Sequence, residues 1–364
     1  MLIAHAFTPE GNRNQLHELG RQVELKVLAP RSFLEQWGSK PPPAPDGFIW
    51  VEFPILHVRS HQFLALSPDL GIRTFDPEVI HVDYPPWSLI FWQVLVLRML
   101  FAPKARLIAG AKKNTFRTRP GVLGRFKSWL ARAGLVRIDQ VEAASRLSQQ
   151  MLERQLNVTP DKISVIPHMG VDTKLFKQRS RPAPDSPVVV GYCGKYSEHK
   201  GVLVLLEAVE HLRSKGLDIH LHTIGQGPLE VHLKEIESRS PWLQVFPASP
   251  SLEVASFMGA LDVYVLPALI CPDHQEHDGH ALLQAMATGV PSIGTDSGVI
   301  PDILGNGSGL LVPPNDSMAI AEAIETLTSD ESIRRACIEA SADLIKDTYT
   351  LEAVANARLQ MYSL

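Results

Sequence analysis

Along most of the chain, short apolar runs alternate with stretches in which apolar residues recur every three or four positions. The runs at 79–82, 107–109, 188–192, 219–224, 263–266 and 291–293 read as buried parallel strands. Between the later ones, 202–212, 229–238, 252–258 and 281–287 carry the helical period. Strand–helix alternation with short connections predicts doubly wound α/β sheets. Within 176–187 the pattern breaks. There Lys177-Gln178-Arg179-Ser180-Arg181-Pro182-Ala183-Pro184 is polar and proline-punctuated, as a linker should be, and a strong strand opens after it. Two Rossmann-like domains with a cleft between them are expected, and such sheets bind ligands beyond the carboxyl ends of their strands.

Length and composition narrow this picture without changing it. The 364 residues suffice for two domains, and 45% hydrophobic with 20% charged residues excludes wholesale disorder, collagen-like repeats and coiled coil. Three cysteines, Cys193, Cys271 and Cys337, with no CxxC spacing fit neither a disulfide framework nor a structural zinc site, so a reducing compartment is expected. Net charge is −4, but it is unevenly spread. Residues 1–170 hold 21 Lys and Arg against 14 Asp and Glu, and the remainder holds 14 against 25. The first part therefore favours an anionic partner. The apolar start meets Glu10 and Arg13 too soon for a signal peptide. The most apolar stretch, 87–101, contains Gln93 and Arg98 and falls short of the ~20 residues a spanning helix needs, so it reads as a core helix.

The chemistry concentrates in the second half. There is no Walker A loop, no complete GxGxxG and no Asp-x-Asp pair, so a bound pyrophosphate would have to be neutralised by protein cations and helix N-termini rather than through a metal. Four segments follow in order. Gly191-Tyr-Cys-Gly194-Lys195-Tyr-Ser-Glu-His-Lys200-Gly201 places two ammonium groups at a strand's carboxyl end, a pyrophosphate clamp in chemical type or else two solvated loop lysines. Ile224-Gly225-Gln226-Gly227-Pro228 is a glycine turn with proline at the start of a helix. Asp262-Val-Tyr-Val-Leu266-Pro267 is a buried strand. Glu276-His277-Asp278-Gly279-His280-Ala281-Leu-Leu-Gln284-Ala-Met-Ala-Thr-Gly289 opens a helix at a polar loop, where Glu276 taken alone is an ordinary surface acid. His274, His277 and His280 on that loop match no zinc spacing.

Together these segments resemble the family 4 retaining glycosyltransferases of GT-B fold, specifically over 166–315. Pro167-His168-Met169-Gly170-Val171-Asp172 resembles the family's inter-domain signature, Gly194-Lys195 to Lys200-Gly201 its diphosphate site, and the last segment its Glu-x7-Glu motif. The resemblance implies a GT-B chain with an acceptor-binding domain at 1–170, a nucleotide-sugar-binding domain at 171–346, and a C-terminal helix at about 347–364 packed back on the first. It implies catalytic roles for Glu276, Lys200 and Lys195, with Glu276 on the donor sugar. Donor binding falls to Gly194, Lys195, Lys200, Gly225, Asp278, Gly279, His280, Ala281 and Gln284, with no metal and no cofactor. Two departures stand out: Lys195 replaces the family's diphosphate arginine, and Gln284 replaces the second glutamate, the usual ribose ligand. An amide oxygen still accepts from a ribose hydroxyl, more weakly than a carboxylate.

On the acceptor side the resemblance points to His81, Asp83 and Asn114, the last standing where many members carry a histidine. Asn114 supplies no general base there, so none is assigned. That suits the family, whose retaining transfer is viewed as front-face attack in which the departing phosphate helps take the acceptor's proton. Residues 104–137 contain ten Lys and Arg and no acid, and Val122, Leu123, Phe126, Trp129, Leu130 and Ala133 recur there at helical spacing. This is a basic amphipathic stretch with an interfacial tryptophan, suited to an anionic membrane surface or a lipid-linked acceptor; a solvated face over a core stripe is the plainer alternative, and nucleic acid is not expected.

The expected protein is thus a cytoplasmic hexosyltransferase, peripheral on the inner membrane face. It would carry sugar from UDP-glucose or UDP-N-acetylglucosamine to a glycan or lipid-linked acceptor in polysaccharide or glycolipid assembly. The alternatives are a nucleotide-sugar-binding module without transfer and a GT-B epimerase or phosphorylase.

Overall fold

The computed structural model describes residues 1–7, 12–36, 47–59, 62–112, 116, 121–179, 186–271 and 275–363. The chain divides into two units, Met1–Gly170 with Leu351–Leu364, and Val171–Thr350.

Strands of the first unit are β1 (Leu2–Ile3), β2 (Leu25–Pro30), β3 (Phe48–Phe53), β4 (Ile55–Arg59), β5 (Gln62–Ala65), β6 (Val79–Val82), β7 (Arg106–Ala111), β8 (Gln140–Ala143) and β9 (Ile163–Val165). Seven of them form a sheet in the order β3-β2-β1-β6-β7-β8-β9, parallel at every pairing, while β4 and β5 make an antiparallel hairpin. The central strands are nearly continuous in Ile, Leu, Val and Ala because helices cover both faces. Ile3, Leu28, Ile80, Val82 and Leu107 share a core with Phe63, Ile90 and Phe91, while Leu2 and Val27, and Ile108, belong to separate clusters. The apolar stretch at 87–101 is the helix Leu89–Phe101, capped by Ser88, with Ile90, Phe91, Val94 and Leu95 in that core. Among the described residues no helix is long and apolar enough to cross a membrane.

The second unit has β10 (Val188–Cys193), β11 (Ile219–Gly225), β12 (Leu243–Pro247), β13 (Val263–Leu266), β14 (Ser292–Thr295) and β15 (Leu310–Val312), all parallel, in the order β12-β11-β10-β13-β14-β15. In both sheets the strand order reverses once, between β1 and β6 and between β10 and β13. The crevice at that switch point is where doubly wound sheets place ligands.

The linker expected at 176–187 is not where the chain changes unit. Val171 and Phe176 are buried in the core of the second unit, Val171 bridges to Thr350, and Arg179 donates its amide to the Thr288 carbonyl. Polarity and proline mark this segment as surface chain of the second unit; residues 180–185 lie outside the described set. The chain returns to the first unit at Leu351, where the helix Leu351–Ser363 buries Val354, Ala355, Arg358 and Met361.

Candidate functional site

In the second unit the functional loops leave neighbouring strands. Beyond β10 the chain turns at Gly194, whose amide donates to the Ile224 carbonyl at 3.0 Å, so the turns at Gly194 and Gly225 lie against each other. Tyr196 is fully buried, and its hydroxyl donates to the Phe246 carbonyl at 2.9 Å, pinning the end of β12. A single helical turn, Glu198–Lys200, leads to Gly201, whose φ of 73° and contact with the Pro267 carbonyl only glycine tolerates, and then to the helix Val202–Ser214.

Beyond β13, Glu276 is buried at 7% exposure, and its Oε2 lies 2.7 Å from Lys200 Nζ. Its Oε1 accepts the Gly279 amide at 3.4 Å, and its carbonyl accepts from Val299 at 3.1 Å. Gly279 has φ 57° and starts the helix His280–Ala287, so a carboxylate sits at the positive end of that helix. Burial disfavours the charged Glu276, but attraction and hydrogen bonding from Lys200 and the Gly279 amide outweigh it and hold the carboxyl below its ordinary range. Lys200 and Glu276 are 76 residues apart in sequence and meet because β10 and β13 are adjacent.

Lys195 is exposed. Burial lowers the His199 pKa, and the ammonium groups of Lys200 and Lys195 lower it further against the opposite pull of Glu276. Asp278 is exposed, His280 and Ala281 are half-buried on the first helical turn, and Gln284 is half-buried one turn on. His274 lies outside the described residues. Cys193, beside the turn, has its thiol pushed up to about 12 by burial and is no nucleophile.

The expected acceptor-side residues belong to the first unit and are buried rather than open. His81 on β6 is fully buried with Nδ1 2.9 Å from the Tyr362 hydroxyl, and Nε2 is 3.8 Å from Glu142 Oε2. Burial above all brings its pKa down to about 4, so it is neutral near pH 7. Asp83 pairs with Lys112 at 2.5 Å; burial opposes its charge, but Lys112, His168 and His81 bring its pKa down to about 2. Glu142 on β8 accepts from Arg358 Nε at 3.1 Å and Nη2 at 3.2 Å, and Nη2 also reaches the His168 carbonyl at 2.8 Å. Asn114 lies outside the described residues.

Sequence reading missed Glu142, Arg358 and Tyr362. Nothing in a strand reading Gln-Val-Glu-Ala or in an amphipathic last helix announces that they meet. Among the described residues, His81, Asp83 and Glu142 are the group with ligand atoms close enough for a metal, within 4.8 Å, yet Arg358 and Lys112 already neutralise them.

On the outer face of the helix Val122–Leu135, Val122, Phe126 and Trp129 are 82%, 55% and 61% exposed, while Ala131 and Leu135 pack inward. Of the expected amphipathic stripe, Val122, Phe126 and Trp129 are therefore exposed while Leu130 and Ala133 are half-buried; Phe126 and Trp129 stack at 5.9 Å, with Arg125 and Arg132 exposed beside them.

Two parallel-sheet α/β units of this topology form the GT-B fold of glycosyltransferases. The chain is similar in fold to a glycosyltransferase from Rickettsia africae ESF-5, with TM-score 0.72, 15% identity, and 100% of this chain and 97% of that one covered. It is likewise similar to Anabaena Alr3699/HepE, solved in complex with UDP, with TM-score 0.69, 15% identity and coverage of 100% and 98%. Residues 173–343, just under half of the chain and within the second unit, match the family described as Glycosyl transferases group 1. The amylovoran biosynthesis glycosyltransferase AmsK of Erwinia amylovora is 29% identical over 52% of this chain and 47% of its own length. The phosphatidyl-myo-inositol mannosyltransferase of Mycobacterium leprae is 27% identical over 100% of this chain and 95% of its own. The chain spans less than half the length of the curated relatives it matches at 29% identity or more.

Proposed function

We propose that the protein is a retaining hexosyltransferase that takes its sugar from a nucleotide donor, UDP-glucose or UDP-N-acetylglucosamine, and passes it to a glycan or lipid-linked acceptor. The observation that carries this reading is the meeting of Lys200 and Glu276 at the switch point of the second sheet, beside the N-terminus of the helix His280–Ala287. UDP in the Anabaena structure and the polysaccharide and glycolipid names of the relatives support it. Lys195, Lys200 and the amides of Asp278, Gly279 and His280 hold the diphosphate, so no metal is required. The turns at Gly194 and Gly225 let the backbone approach it, Ala281 is small enough to leave room, Gln284 bonds the ribose, and Glu276 bonds the sugar. The leaving phosphate, stabilised by these donors, helps take the proton of the acceptor hydroxyl.

Exposed Phe126 and Trp129 among Arg125, Lys127 and Arg132 support a peripheral seat on an anionic membrane on the cytoplasmic side. Calorimetry tests the donor site. UDP binds the parent, and Lys195→Ala weakens it by ~1.5–3 kcal/mol, the scale of a charge-assisted contact. Saturating EDTA leaves binding and donor hydrolysis intact. UDP binding indifferent to Lys195, or abolished by EDTA, refutes the reading, while binding without any hydrolysis or transfer favours the nucleotide-sugar-binding module.

A further inference from the structure

Glu276 already holds what an incoming phosphate would need. One carboxylate oxygen lies 2.7 Å from the Lys200 ammonium, and the other accepts the Gly279 amide at the start of an eight-residue helix. An oxyanion between an ammonium group and a helix N-terminus is what a bound diphosphate oxygen looks like chemically. Two anions cannot share that position without strong mutual repulsion in a site this buried.

Resting on the donor-site reading above, we propose that Glu276 is an internal anion that occupies the diphosphate position in the free protein and exchanges with the donor. Lys200 passes from carboxylate to phosphate, and the released Glu276 carboxylate turns to a hydroxyl of the sugar. The exchange needs only side-chain rotation. Glu276 is fixed in its main chain by the Val299 amide, and Lys200 by its own amide donating to the Ser197 carbonyl at 3.0 Å. Its consequence is a checkpoint for complete donors: the carboxylate becomes free to grip a sugar only when a diphosphate has drawn Lys200 away. A nucleotide or sugar lacking the diphosphate leaves the ion pair closed.

Calorimetry with UDP and uridine on the parent, Glu276→Gln and the double variant Lys200→Met/Glu276→Gln tests this. Glutamine keeps the shape and removes the competing charge, so Glu276→Gln binds UDP about tenfold more tightly than the parent, with uridine affinity unchanged. In the double variant the gain disappears, because it flows through Lys200. Should Glu276→Gln fold poorly, Glu276→Asp withdraws the carboxylate from Lys200 and moves UDP affinity the same way by less. UDP affinity unchanged or weakened in the single variants, or a gain that persists in the double variant, overturns the exchange while leaving the donor site standing. No UDP binding by any of these proteins overturns the donor site and the exchange with it.

Discussion

Replacing Arg358 with methionine puts the buried network of the first unit to a quantitative test. The guanidinium satisfies three acceptors, both Glu142 oxygens and the His168 carbonyl, and Arg358 and Glu142 are only 3% and 0% exposed. Methionine fills comparable space but carries no charge. Removing one partner of a buried ion pair costs ~3–5 kcal/mol because the other is left uncompensated. A domain is stable by ~5–15 kcal/mol, so the first unit should melt far earlier. Five of the six tryptophans lie within residues 1–170, so urea unfolding followed by tryptophan fluorescence reads this unit preferentially.

The loss should also depend on pH. In the parent, Arg358 and His81 overcome burial and keep the Glu142 pKa below its ordinary value. Without Arg358, burial dominates and lifts it above the unfolded value. The folded variant then holds more protons than its unfolded chain, and its stability rises as pH falls. The deficit should therefore be smaller at pH 5.5 than at pH 8, and Glu142→Gln added to Arg358→Met should recover most of it. A single variant within ~1 kcal/mol of the parent, an equal deficit at both pH values, or a double variant as weak as the single refutes the reasoning.

His81 predicts a second pH effect. Its folded pKa of about 4 lies below the unfolded 6.5, so its contribution is complete above pH 6.5 and falls away between 6.5 and 4. The loss reaches ~3 kcal/mol, and His81→Gln flattens urea midpoints across that window. Gln284→Glu should fold, being nearly isosteric, and tighten UDP in calorimetry if residue 284 faces the ribose; unchanged or weaker binding means the ribose is held around glutamine. Reversing Arg125, Lys127 and Arg132 to glutamate should abolish co-sedimentation with anionic liposomes while leaving UDP binding intact. Each basic residue near the surface contributes about 1 kcal/mol, screened by salt. A parent that ignores such liposomes at low ionic strength refutes the membrane seat.

What the sequence made legible follows from periodicity. The helix expected at 202–212 is Val202–Ser214, the strand at 263–266 is Val263–Leu266, and the strand at 291–293 is displaced slightly to Ser292–Thr295. Strands buried on both faces write themselves as apolar runs, and the helices over them as a stripe. The hairpin of β4 and β5 escaped, because Ile-Leu-His-Val-Arg and Gln-Phe-Leu-Ala carry no clean two-residue alternation. In the second unit, Lys200 and Glu276 were legible because each stands in a motif of recognised spacing. Their ion pair was not, since it depends on which strands lie side by side. His81 and Asp83 were placed on the right strand end, but their burial was invisible: what covers them includes residues 358 and 362, some 280 positions away along the chain.

That return of the last helix sets an order of events during synthesis. Glu142 leaves the ribosome 216 residues before Arg358. At ~5–20 residues per second, its carboxylate waits on the order of ten to forty seconds for its counterion. Throughout that interval the whole of Val171–Thr350 is made and is free to fold, while the earlier sheet lacks Val354, Ala355 and Met361 from its covering layer. The unit that contains Glu142 is therefore completed only after Val171–Thr350 has been made. Until then the first sheet carries an open apolar face where that helix will lie, and Glu142 lacks the Arg358 guanidinium.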